Sequence, residues 1–286
     1  MSHLPFTISA YFFNALAVLA NKHLLNRAIP DPLVYIFYIS LVSLPAIFAL
    51  PFVKIPDFET FILASLSTIT WTMGAYFMFK ALKLGQVSRV IPVIGTLIPL
   101  ILLMLAVRSE ALSITQIEAV IILTFGLVFL TATDWKGKLN KEEIICEVLS
   151  ASLFAISYVI LRSAYLKLDF LSVLVWSRMV LLPLLLIMVA IPFLRIKVIS
   201  SKGLKINFLS KEGFIFLGGQ LSGALSEVLI LFSISLANPA LVNSLQGSQY
   251  VFLLIFDRKK YPFLILLSKV AGIIFIAAGL YLLAFS

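Results

Sequence analysis

A few side chains in this sequence stand where hydrocarbon would not keep them without a reason. Glu227 lies within an apolar run spanning 212–236, Arg178 within 170–194, Lys269 within 261–284, and Lys22 toward the end of the run 4–25. A charge near mid-membrane costs about 2.5–3.5 kcal/mol even on the mildest insertion scale, so each asks for a partner or a ligand. Glu227 shares a helical face with Gln220, Gly223 and Leu231, which sit at i−7, i−4 and i+4. There it could bind a substrate amine or carry a proton, or it could pair with Arg178 or Lys269 and fix the bundle. Arg178 could clamp a carboxylate or phosphate through its bidentate fork, ion pairing and snorkelling being the structural alternatives. Lys269 is too deep to reach a membrane surface fully by snorkelling, whereas Lys22 is close enough for snorkelling to account for it. Lys80 and Arg89 stand nearer helix ends.

Uncharged hydrogen-bonding groups form stripes of their own. Asn243, Gln246, Gly247 and Tyr250 recur at i, i+3, i+4 and i+7, a column that predicts one polar face on a helix over 238–256. The corresponding face of the fourth run reads Val90, Val93, Ile94 and Leu97, so the polar contacts weigh toward the second half. Asn14, Val18 and Asn21 make a further stripe in the first run. Each stripe suits cavity lining or interhelical amide bonding, the latter typically worth ~1 kcal/mol. Trp71, Tyr76, Phe77, Tyr158 and Trp176 offer aromatic walls or ordinary packing, and Pro92, Gly95 and Pro99 loosen the fourth run. Metal and thiol chemistry find little to work with. The sequence has a single cysteine, Cys146, and two histidines, His3 and His23, with no metal-ligand spacing and no catalytic cluster of the kind lipid-phosphate enzymes need. An enzyme is not expected, nor a bound cofactor, and any proton coupling would use Glu227 most economically.

The elements that must position these groups are membrane helices. The 286 residues are 62% hydrophobic and 12% charged, with mean hydropathy +1.11, where a soluble domain is about half apolar and a quarter charged. Ten apolar runs of bilayer length cover 4–25, 33–53, 59–82, 86–107, 113–133, 143–163, 170–194, 212–236, 238–256 and 261–284. Pro30-Asp31-Pro32, Pro56-Asp57, Gly85, Asn238-Pro239 and charged stretches such as 134–143 and 195–211 divide them. A barrel would need dyad alternation, which is absent, so the runs are predicted as helices. The first is read as a retained helix because it lacks a small-residue cleavage site. Gly126, Leu127 and Leu130 match Gly279, Leu280 and Leu283 at one constant offset, shared by Phe79 with Phe232 and by Leu100 with Leu253. Pro45 with Pro183 and Leu33 with Leu171 share a shorter one. The expectation is an all-α integral membrane protein of ten helices in two five-helix repeats, 1–134 and 135–286. An odd-numbered unit duplicated in tandem must be inverted relative to its twin, an architecture of secondary transporters. The net charge of +9 sits in short clusters between the runs, which predicts topogenic and headgroup-facing charge and no nucleic-acid partner. Counted by side, it places both termini outside.

The stretch Ala75 to Leu130, with Ala81-Leu82 near a helix end, Pro92 and Pro99, Glu110 in the following turn and Gly126 closing the fifth run, resembles the EamA family of the drug/metabolite transporter superfamily. Lys22 and Arg178 also stand where that family often carries a cation. The likeness extends over essentially the whole chain. It implies ten helices in two inverted halves, export or exchange of small metabolites, a multi-pass location in a prokaryotic cytoplasmic membrane, and termini in the cytoplasm, against the charge count. Phe263 replaces Glu110 in the second half, so that turn is not duplicated. The expected function is alternating-access transport, as exporter or exchanger, of a small polar metabolite such as an amino acid or organic anion at a midplane cavity between the two repeats. Its substrate would be held by Arg178, Glu227, Lys269, Asn243, Gln246, Tyr250, Gln220, Lys22 and Asn14, with cations outnumbering acids and favouring negative charge. A lipid or lipid-linked-sugar flippase on the same fold is the alternative, and a purely structural subunit would have the three deep charges satisfy one another. Partners are membrane lipids and a small molecule, with monomer and homodimer both open.

Overall fold

Asp31, Asp57 and Asp169 each stand just ahead of an apolar run, and each accepts the backbone N–H two or three residues on: Leu33 N at 2.9 Å, Thr60 N at 3.2 Å and Ser172 N at 3.0 Å. They are helix N-caps, placed where the first turn has amides without partners. Burial alone would raise the Asp169 carboxyl, but hydrogen bonds from Ser172 N and Oγ outweigh it and leave the group below its ordinary value. In the computed structural model, which describes residues 2–27, 31–106, 112–132, 140–200, 210–256 and 262–285, these caps open α2 (Pro32–Ser43), α3 (Phe58–Leu84) and α7 (Phe170–Met179). Arg108, Glu110, Asp134, Asp257, most of the basic connector clusters and the Lys22 side chain lie outside the described residues.

Of the remaining long helices, α1 is His3–Arg27, α4 Val87–Ala106, α5 Ile114–Thr131 and α6 Lys141–Tyr165. A Ser113–Gln116 capping box starts α5, and Asn140 caps α6. In the second half, α10 is Lys211–Leu236 and α13 Phe263–Phe285. No strand occurs among the described residues, and nine stretches, from His3–Asn21 to Phe263–Phe285, are long and apolar enough to cross a membrane. Large apolar side chains face outward: Phe48, Phe58, Met104 and Phe285 are 74–85% exposed. Water would not tolerate that surface, whereas lipid would. The chain is an α-helical, multi-pass membrane protein.

Prolines interrupt two of the predicted runs at related places. After α2 the chain tightens into a 3-10 segment, Leu44–Phe52, carrying Pro45 and Pro51. In the second half α7 stops at Met179, four residues before Pro183, and α8 (Leu181–Ala190) resumes after a turn at Val180. A proline ring clashes with the carbonyl four residues back, which fits both breaks. Pro192 then opens α9 (Pro192–Ser200), so part of the expected basic connector is helical. Its Lys197 reaches Asp31 at 3.3 Å and covers the Phe193 ring.

The expected helix over 238–256 is two pieces, α11 (Pro239–Ser244) and α12 (Gly247–Phe256). Between them the amides of Gln246, Ser248 and Gln249 bond three residues back rather than four. Ser244 and Ser248 hydroxyls donate to Leu241 O and Leu245 O at 2.8 and 2.7 Å, competing for the same carbonyls. The turn is 3-10-like and shifts everything after Gln246 off the predicted face.

The helices pack with partners distant in sequence: α1 along α10, α3 along α6, and α5 along α13, with α4 against α6 and α11. Glycines permit the α5–α13 contact. A Cβ on Gly126 would lie 2.8 Å from Ile276 Cγ1, and one on Gly272 only 2.7 Å from Leu130 N. Small residues at such crossings let backbones approach where no hydrophobic force drives helices together.

Candidate functional site

The face of α10 that the sequence spacing picked out, Gln220, Gly223, Glu227 and Leu231, borders an internal cavity of about 180 Å³. Across it stand Asn14, Val18 and Asn21 of α1, the Ile91, Ile94 and Ile98 stripe of α4, and Asn243 and Gln246 from α11 and its turn. Trp71 of α3 with Phe154 and Tyr158 of α6 close another wall. Glycines make room for it. Gly223 is open toward the cavity, where an added Cβ would meet only Ala17 at 3.7 Å. In α4, Gly95 admits the Gln246 amide, whose Cδ would sit 2.6 Å from any Cβ there.

Arg178 donates from NH2 to Glu227 Oε1 at 2.6 Å. The guanidinium is the more buried partner, its side chain 9% exposed against 22% for Glu227. Arg178 does not line the cavity, while Glu227 does and keeps Oε2 outside the pair. A charge-assisted bond of this kind neutralises the carboxylate and still leaves it one acceptor for another group. This is the pairing that the sequence offered as an alternative to substrate binding, and it leaves both readings in play.

The amides are tethered. Asn14 Nδ2 donates to Gln249 Oε1 at 2.9 Å, joining α1 to α12. Tyr35 OH donates to Asn21 Oδ1 at 2.6 Å and receives Gln220 Nε2 at 3.3 Å, tying α1, α2 and α10 into one chain of bonds. Asn243 Nδ2 donates to Pro239 O of its own helix at 2.9 Å, and Tyr11 OH donates to Val242 O at 3.3 Å.

Besides Arg178, two expected site residues lie off the cavity. Lys269 is buried, but its Nζ donates to Leu130 O at 3.2 Å in the α5–α13 contact and does not line the cavity. Tyr250 is carried away by the 3-10 turn; it is buried, off the cavity, with its hydroxyl unpartnered. Nor do Arg178, Lys269 and Glu227 meet as a trio. Among the aromatic residues, Trp71 and Tyr158 line the cavity, whereas Trp176 donates Nε1 to Lys54 O at 2.9 Å and pins the end of the 3-10 segment.

The sequence reading passed over a second buried charge cluster. Arg89 of α4 grips Glu143 of α6 through Nε and NH2 at 2.6–2.9 Å, with side chains 6% and 1% exposed. Gly85 must be small here, because a Cβ would fall 2.0 Å from Glu143 Oε1. One turn on, Glu147 is also buried, with Oε1 unpartnered. Placing Glu143 at the edge of its run hid the pair. The i, i+4 spacing of two acids inside a membrane helix was the available signal. Lys80 similarly meets Glu142 at 2.7 Å. Among the described residues no group of three or more His, Cys, Asp or Glu could hold a metal ion.

No known protein-family pattern matches the chain, and no curated protein matches it. A solved structure described only as a crystal structure of a protein is similar over 97% of this chain and 95% of that one, with TM-score 0.66 and 14% identity. At that identity the likeness shows a shared fold alone.

Proposed function

We propose that the chain is a secondary transporter that carries a small polar metabolite by alternating access. The observation that carries this reading is a cavity in which Glu227 and several amides interrupt an otherwise apolar wall, bordered by α1, α2, α3 and α4 from one half and by α6, α10 and α11 from the other. A binding site shared by two halves can open to either side when one half rocks on the other.

The proposed architecture is two inverted five-helix repeats, residues 1–134 and 135–286, with α11 and α12 together forming the ninth of ten spans. The packing supports it. Exchanging each helix of one half for its counterpart turns the α1–α10 contact into α6–α3 and maps the α5–α13 contact onto itself. The breaks near Pro45 and Pro183 fall at matching positions, and Gly126 and Gly279 both lie at the α5–α13 contact. The resemblance to the EamA family in the stretch 75–130 points the same way.

Counterflow in proteoliposomes tests the function. Vesicles preloaded with mixed amino acids, organic acids, sugars and nucleosides should accumulate one labelled external solute in a saturable manner. Gly223→Val, which fills the cavity, should abolish that uptake. Uptake that rises linearly with solute and ignores the preload would mean a pore, and a wild-type rate kept in Gly223→Val would remove the cavity from the pathway.

A further inference from the structure

The chemistry of the cavity wall narrows the substrate class, an inference that rests on the carrier reading above. Glu227 is the one charged side chain among the described residues lining the cavity, and Arg178 behind it is already engaged at 2.6 Å. Lys269, which would have favoured an anion, is occupied at Leu130 O. An incoming carboxylate or phosphate would therefore have to take Arg178 from Glu227, leaving two negative groups side by side.

Asn14, Gln220 and Asn243 each give one amide N–H to a protein acceptor, which leaves the carbonyl oxygen and the second N–H of each for a ligand. Asn21 is held through its oxygen, leaving its NH2 to donate. Glu227 adds Oε2, an acceptor only, so the wall asks for a ligand that carries O–H or N–H donors for Glu227 together with oxygens for the amides. The remaining wall is apolar, aliphatic along the Ile91, Ile94 and Ile98 stripe and aromatic on one side, where the Phe154 and Tyr158 rings lie 6.3 Å apart and 15° from parallel and Trp71 meets Phe154 edge-on at 5.8 Å. Such a surface takes the flat face of a ring.

We infer that the cavity takes a neutral ring compound rich in hydroxyl and N–H donors, the chemistry shared by nucleosides and free monosaccharides, and selects against organic anions. One ring face stacks on Trp71, Phe154 and Tyr158, while its donors meet Asn14, Gln220, Asn243 and Glu227.

Thermal unfolding and calorimetric titration of the purified full-length protein in detergent, with uridine, glucose, phenylalanine and citrate as probes, test this. Uridine or glucose should raise Tm saturably and more than the other two, and the larger of those two shifts identifies the source. The 2-deoxy form of the better probe should bind about tenfold more weakly, because one wall acceptor loses its donor. Trp71→Leu should weaken binding by a similar factor, and Gly223→Val should abolish it. The comparison among probes uses the wild-type protein and needs no variant to fold. A larger shift with citrate or phenylalanine, lost in Arg178→Ala, overturns the inference and leaves the carrier standing, as does the absence of any shift with uridine and glucose while counterflow of another solute persists. Failure of counterflow for every solute removes the carrier reading itself.

Discussion

Among the described residues, two ion pairs cross the interior, and their surroundings give them different work. Arg89 and Glu143 are sealed, with every side of the contact occupied by protein. Removing one partner strands the other in an apolar interior, so Arg89→Ala should lower the free energy of unfolding by about 3–5 kcal/mol, read from chemical or thermal unfolding in detergent. Glu227, by contrast, borders the cavity and can be reached by water or a ligand. Glu227→Gln should cost distinctly less stability than Arg89→Ala while weakening ligand binding. An equal loss of stability in both variants would mean that Glu227 is a structural strut. The sequence singled out Glu227 because a lone acid in an apolar run is conspicuous, and the face it shares with Gln220 and Gly223 follows directly from helical spacing. Depth along the run was legible too. Which cation it meets was not, since Arg178 and Lys269 were equally deep and only the tertiary packing chooses between them.

At the scale of elements, the breakers at Pro30-Asp31-Pro32 and Pro56-Asp57 do fall between helices, whereas the breaks after α2 and α7, near Pro45 and Pro183, lie inside runs whose composition reads as continuous. The ninth run was misread for a physical reason. Its residues have helical periodicity, but Ser244 and Ser248 and the approach of Gly247 to Ile276, where a Cβ would lie 3.0 Å from Cδ1, favour a 3-10 turn that no periodicity count detects. That turn keeps Asn243 and Gln246 at the cavity and sends Tyr250 away. The glycines of the α5–α13 contact give a sharper test of element packing. Gly272→Ala places a Cβ 2.7 Å from Leu130 N and 2.8 Å from Gly126 O, backbone atoms that can yield only if the helices part. Overpacking of this sort should cost about 1–3 kcal/mol. Gly218→Ala meets nothing within 4 Å and should be neutral or slightly stabilising. Similar unfolding midpoints for the two variants would show that α5 and α13 are not packed as described.

For the whole molecule, helix type and membrane residence are plain from composition and run length, and a cavity between the repeats is expected from them, whereas the helices that line it are not. That depends on which helices of one half meet which of the other, and pairings such as α1 with α10 and α3 with α6 join segments far apart in the sequence. Alternating access requires that the cavity be reachable from both faces of the membrane. Gly223 offers a direct probe, because it borders the cavity and a Cβ there would meet only Ala17 at an ordinary 3.7 Å, and the chain's single native cysteine can be removed with Cys146→Ala. The decisive measurement is labelling of Gly223→Cys in that background by a membrane-impermeant maleimide, applied to proteoliposomes of defined orientation from outside or trapped within. Alternating access predicts modification from each side, with either rate falling when a transported solute occupies the cavity. Modification from one side alone, or from neither, would contradict it.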